Sequence, residues 1–211
     1  MARIKNLFDL YCEPKAVYET LQVMNTLQPG LCVLGTRLPG CFNVFEMSVR
    51  AVLGQQITVK AASTLAARLV AVYGTQVQTG IEGLTHSFPA PAAILALGEN
   101  ISEHLGKLGI ISARANTIYQ LARVLADEKN DFGFCGNPEE EMQKLQAIRG
   151  IGSWTAQYIA MRAMGWPDAF LPTDAGIKKA LPDHTPKELQ VLSEAWRPWR
   201  SYATVNLWNT L

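Results

Sequence analysis

Three features carry residues suited to chemistry, and all fall between residues 148 and 174. The first is IRGIGSWTAQYIAMR (148–162), where Gly150 and Gly152 flank Ile151 between two stretches of helical periodicity. Glycine accepts backbone angles that other residues resist and lets a second molecule come close to the main chain. The amides that open the following helix lack intrahelical acceptors and sit at its positive pole. Arg149, Gly150, Ile151, Gly152, Ser153 and Thr155 are therefore candidates for an anion site, with a phosphate as the natural occupant and Ile151 packed inward. A tight buried corner between helices would use the same residues, and a G-x-G alone does not separate the two.

The second feature is Trp154 and Tyr158, spaced so that their rings share one helical face. Such a pair either stacks on a flat cationic group or fills a helical core. The third is Asp174, 22 positions beyond Gly152 and directly after Pro172-Thr173. A carboxylate can offset a developing cation in a water-poor cleft, or orient and deprotonate a water. On the residues alone, Asp174 reads more simply as a helix cap.

These residues must be held by helices, since helical periodicity dominates the chain and convincing alternating strands are absent. Val17, Leu21, Met24 and Leu27 mark one helix over 14–27; Phe45, Val49, Val52 and Leu53 mark another over 43–53. Thr58 starts a third that Gly74 ends. Shorter helices fit 91–97 and 101–107, and a longer one fits 112–128. Asn137-Pro138-Glu139-Glu140 supplies a cap, a first-turn proline and acidic residues for a helix that turns Met142, Leu145 and Ile148 inward. Further helices run from Ser153 to about Met164 and after Pro172, with two more near the C-terminus. Residues 27–40 and 75–91 form the longest irregular stretches.

At 211 residues the chain can bury a full core, as one large domain or two lobes. The formal net charge of +1 disfavours a diffuse cationic face, but not a partner held by backbone amides and a few placed cations. Cys12, Cys32, Cys41 and Cys135 are spaced neither for zinc nor for an iron–sulfur centre. Scattered thiols suit a reducing compartment. With no signal segment and no apolar run of ~20 residues, the expectation is a soluble, cytoplasmic protein. Trp166, Trp196 and Trp199 read as packing residues.

LQAIRGIGSWTAQYIAMR followed by AFLPTDAGIKKAL resembles the helix-hairpin-helix DNA glycosylase superfamily. The usual form there is an apolar residue, a G-x-G turn, a T-A pair in the next helix, and an aspartate about twenty residues on. LPGCFNVFEMSVRAVLGQQITVKAASTLAARLVAVYG and WRPWRSYATVNLW are similar to the bacterial 3-methyladenine DNA glycosylase II group. The likeness runs from LFDLYCEPKAVYETL to the end of the chain. Arg149 stands where the superfamily commonly has proline, losing some turn rigidity and adding a cation. Enzymes of the group often carry an additional N-terminal domain for which this chain leaves no room, as a compact member or a fragment would.

The resemblance implies an all-α fold of two helical lobes with the substrate cleft between them. Residues 44–166 would form the central lobe, with the helix-hairpin-helix motif at about 138–164; residues 1–43 plus 167–211 would form the lobe carrying Asp174. It implies a base-excision-repair enzyme that hydrolyses the N-glycosidic bond of alkylated purines, 3-methyladenine and 7-methylguanine, in duplex DNA. The target base leaves the stack, Asp174 stabilises the cationic sugar, and Trp208 joins Trp154 and Tyr158 in the base pocket. Purines alkylated at a ring nitrogen are cationic, which aromatic faces favour by roughly 0.5–2 kcal/mol per contact. Members that also cut the strand have lysine two positions after the second glycine, where it forms a Schiff base. Trp154 occupies that position, so a monofunctional enzyme with no lyase step is expected.

Gln55 and Gln56, after RAVLG, match the loop that fills the gap left by the flipped nucleotide, with Gln56 aligned on the wedge. A polar loop facing water is the plain alternative. No metal or cofactor is required, while a monovalent cation at the hairpin is compatible with the motif. The expected partner is double-stranded DNA containing alkylated bases, bound by a monomer away from membranes. Two rivals stay open: a non-catalytic helix-hairpin-helix DNA-binding module, and a glycosylase for deaminated or etheno-adducted bases.

Overall fold

The computed structural model describes residues 1–127 and 137–211; Cys135 and the last residue of the helix expected over 112–128 lie outside them. Within the described residues the α-helices are α1 (Ala2–Leu7), α2 (Pro14–Leu21), α3 (Val44–Leu53), α4 (Val59–Tyr73), α5 (Pro91–Leu95), α6 (Ile101–Gly106), α7 (Ser112–Leu125), α8 (Pro138–Gln146), α9 (Ser153–Arg162), α10 (Ala175–Ala180), α11 (Pro186–Leu192) and α12 (Arg200–Trp208). The starts follow local chemistry. The side chains of Asn43 and Thr58 accept from Glu46 N and Ala61 N, three residues into α3 and α4. Thr185 and Glu188 bond each other's backbone in a reciprocal cap on α11. No helix among the described residues is long and apolar enough to cross a membrane.

The fold departs from the sequence expectations in three places. The helix expected over 14–27 is α-helical only to Leu21 and continues as a 3₁₀ turn over Gln22–Thr26, with Met24 still fully buried. Helix α1 was not anticipated. Inside the stretch read as irregular, β1 (Thr75–Gln76) pairs antiparallel with β2 (His86–Ser87). Strands of two residues are too short to show alternation. At their base, a Cβ on Gly74 would stand 2.4 Å from both the Ser87 and the Val70 carbonyl oxygens.

The chain divides into two compact units. One contains residues 1–42, 137–142 and 156–211; the other contains 43–127 and 143–155. The boundary between them falls inside α9, at 155/156, whereas the sequence reading placed its lobe boundary at 166/167.

In the unit containing the N-terminus, α10 packs against α12. Every residue of α12 from Arg200 to Leu207 is buried. Its polar residues tie down the N-terminal segment. Tyr202 Oη donates to Asp9 Oδ2 at 3.0 Å, and Asn206 Oδ1 accepts from Val33 N at 3.1 Å and Thr36 Oγ1 at 2.9 Å. Burial pushes the Tyr202 phenol far up, which keeps that donor in place. Arg200, itself buried, donates to Asp168 through Nε at 2.7 Å and Nη2 at 2.9 Å. Trp196, 1% exposed, meets Phe170 edge-on at 5.7 Å, and Trp199 meets Tyr202 likewise. Both tryptophans pack as expected.

In the other unit, α7 is the central support and packs against α3, α5 and α6. Its inward face of Ala115, Ile118, Leu121 and Ala122 is fully buried, as are Val49, Val52 and Leu53 of α3. Burying a large aliphatic side chain contributes about 1.5–3 kcal/mol, so this apolar face holds the loops described next on a stiff base.

Candidate functional site

Asp174 stands at the start of α10 in an extended conformation that halts the preceding segment. Its Oδ1 accepts three hydrogen bonds: from Gly176 N at 2.9 Å, Ile177 N at 3.1 Å and the indole Nε1 of Trp208 at 2.8 Å. Capping and proximity to an aromatic wall thus coexist in one carboxylate, which is 9% exposed. Tyr158 completes the cluster, with its ring centroid 6.2 Å from that of Trp208 and the planes tilted by 49°. The Arg162 guanidinium lies 5.9 Å from the Tyr158 centroid. Asp174, Tyr158 and Trp208 are therefore together in one unit, on α10, α9 and α12. Trp154 lies one turn before Tyr158 on α9 and is half-buried.

Gly176 was not singled out by sequence, yet it is what brings the indole to the carboxylate. A Cβ there would stand 2.7 Å from Trp208 Cδ1, 2.9 Å from its Nε1 and 3.0 Å from Asp174 Oδ1. The two contacts with the indole link residues 32 apart, and no local pattern announces them.

The hairpin belongs to the other unit, and its two glycines have different reasons to be glycine. Gly150 has φ +97°, and a Cβ there would stand 2.0 Å from Thr117 Oγ1. That hydroxyl lies 3.0 Å from both the Ala113 and the Arg149 carbonyl oxygens, so α7 holds the hairpin through the gap the missing side chain leaves. At Gly152 a Cβ would meet no atom within 4 Å, and the residue is exposed. Nothing inside the chain requires glycine at 152. Of the other candidates for phosphate contact, Arg149 and Ser153 are exposed. Ile151 is 5% exposed and packs inward as expected. Thr155, at 2%, is buried, and its hydroxyl accepts from Gln55 Nε2 at 2.9 Å; its side chain serves the inside of the turn.

The wedge loop splits in the same way. Gln55 Nε2 also donates to Gly150 O at 3.0 Å, so this side chain braces the hairpin. Arg114 of α7 donates to the Gln55 carbonyl oxygen. Gln56 is exposed and has φ +53°, a left-handed conformation that L side chains adopt at a cost of about 1–2 kcal/mol. Sequence reasoning missed Arg114 and Thr117, three residues apart on one face of α7, which anchor the wedge loop and the hairpin respectively.

Among the described residues, no group of three or more His, Cys, Asp or Glu stands together as a metal site would need.

Residues 49–200 match the family described as HhH-GPD superfamily base excision DNA repair protein, and residues 1–43 match the AlkA N-terminal domain. A segment assigned to an N-terminal domain is therefore present, where the sequence reading saw no room for one. The chain is similar to DNA-3-methyladenine glycosylase 2 of Escherichia coli, 37% identical over 210 residues that cover 100% of this chain and 71% of that protein. It is 40% identical over 216 residues to the Mycobacterium tuberculosis protein named "Probable bifunctional transcriptional activator/DNA repair enzyme AlkA", covering 100% of this chain and 42% of that one. Among solved structures, the 3-methyladenine DNA glycosylase from Archaeoglobus fulgidus matches with a TM-score of 0.77 at 24% identity, over 98% of this chain and 72% of that one. The mostly helical fold is the expected one.

Proposed function

The chain belongs to the HhH-GPD superfamily of base excision DNA repair proteins, and from that premise we propose that it is a monofunctional glycosylase removing 3-methyladenine and 7-methylguanine from duplex DNA. The observation that carries this reading is the Asp174–Trp208–Tyr158 cluster, a buried carboxylate set against two aromatic rings. A flipped, alkylated purine carries positive charge that the rings of Trp154, Tyr158 and Trp208 favour. As the C1′–N bond breaks, the base leaves with the electron pair and the sugar becomes cationic. Asp174 lowers the energy of that cation. Water then adds its oxygen to C1′ and loses a proton, for which Asp174 is the acceptor at hand. The product is an abasic site in an uncut strand.

The hairpin grips the DNA backbone through the exposed Arg149, Gly152 and Ser153, and Gln56 enters the gap left by the base. A monovalent cation at the hairpin would add only to that grip. With Trp154 in place of an amine, no Schiff base forms. Lys178 and Lys179 lie on α10 beyond the aspartate and take no part. The enzyme works as a cytoplasmic monomer with Cys12 and Cys32 unbridged.

Base release from methylated duplex DNA tests the proposal. The wild type should release 3-methyladenine and 7-methylguanine, leave the strand intact and give no borohydride-trapped adduct. Asp174→Asn should release both bases about 10²–10³-fold more slowly while binding DNA with affinity within about threefold. Release by that variant at the wild-type rate would sink the catalytic assignment of Asp174, and binding of DNA with no release by the wild type would leave a DNA-binding module without chemistry. Release of deaminated or etheno-adducted bases in preference to methylated ones would reassign the substrate.

A further inference from the structure

Resting on the glycosylase reading above, we infer that Trp208 is a positioning residue for Asp174 as well as a wall of the base pocket, and that Gly176 makes this possible. Oδ1 of Asp174 receives three N–H donors, two from the backbone of α10 and one from the Trp208 indole. The two backbone donors hold Oδ1 from α10 itself. The indole, arriving from α12, supplies the third direction.

The indole reaches the carboxylate because α10 has no side chain at its second residue. Cδ1 and Nε1 of Trp208 occupy the space where a Cβ of residue 176 would stand, at 2.7 and 2.9 Å. Alanine at 176 therefore moves the indole, and it does so without removing a ring or changing the aspartate. The tether has a rigid origin: α12 is buried along its whole length before Trp208 and packs on α10. Aromatic stacking alone would not require the indole nitrogen to face Asp174. A charge-assisted hydrogen bond does, and it is roughly twice as strong as a neutral one.

The test separates carboxylate placement from base stacking by using DNA that lacks a base. One duplex carries a pyrrolidine at the target position, which is cationic; the other carries a neutral tetrahydrofuran. The wild type should prefer the pyrrolidine duplex, and Asp174→Asn should lose that preference. Trp208→Phe, which keeps a ring but no N–H, and Gly176→Ala should each reduce the preference about tenfold. The preference is read as each variant's own ratio of the two affinities, and a circular dichroism spectrum like the wild type's shows that both are folded. If Asp174→Asn loses the preference and the other two retain it, Trp208 acts only by stacking and the inference fails. If Asp174→Asn retains it, Asp174 does not face the sugar, and the glycosylase mechanism fails together with the inference.

Discussion

Helices α9 and α10 begin in opposite ways. The start of α10 is closed: Asp174 folds its carboxylate onto the amides of Gly176 and Ile177, and an indole covers the same oxygen. The start of α9 is open: Gly152 and Ser153 are exposed, with nothing within 4 Å of where a Gly152 side chain would be. A helix N-terminus attracts negative charge in either case. The first takes that charge from the chain itself and, on the proposed function, becomes part of the chemical machinery. For the second, on the proposed function, a DNA phosphate supplies it.

The contrast can be broken by substitution. The largest effect is expected from Asp174→Asn, since losing a preorganised charge at a developing cation costs about 10²–10³ in rate. Asparagine caps about as well as aspartate, so the melting temperature should barely move. A large drop in Tm would make Asp174 chiefly structural and erase its distinction from an ordinary cap. Next comes Gly150→Ala, where the clash with Thr117 and the positive φ should cost about 2–3 kcal/mol of stability, measured by denaturant unfolding.

Gly152→Ala should leave stability within about 0.5 kcal/mol and weaken binding to duplex DNA about tenfold, the size expected from losing one close backbone contact. Equal stability losses at 150 and 152 would refute the idea that the hairpin has one inner and one outer glycine. The smallest effect is expected from Gln55→Ala, about 1 kcal/mol from the two hydrogen bonds to the hairpin. A loss of base release with unchanged stability would instead make Gln55 a DNA contact.

What was legible in the sequence was local. The cap at Thr58, the glycine turn and the 22-residue spacing to Asp174 all depend on neighbours within a few residues or on a motif. Hidden were the contacts that place those residues. Gly176 matters because of Trp208, and Gly150 because of Thr117, each through a close approach between distant segments. Gln55 and Gln56 are identical in type and adjacent, and only the backbone turns one toward the hairpin and the other toward solvent. The two-residue strands escaped because a period cannot be read from so few positions.

The contact between Thr117 and Gly150 also bears on how the sequence can change. The Thr117 hydroxyl fills the volume that any larger residue at 150 would claim. A substitution at 150 is therefore blocked while threonine stays at 117, and loss of the hydroxyl first would open the space but release the hairpin carbonyl it holds. The two positions form a ratchet in which neither single step is neutral. Lineages of this family should change them together or not at all.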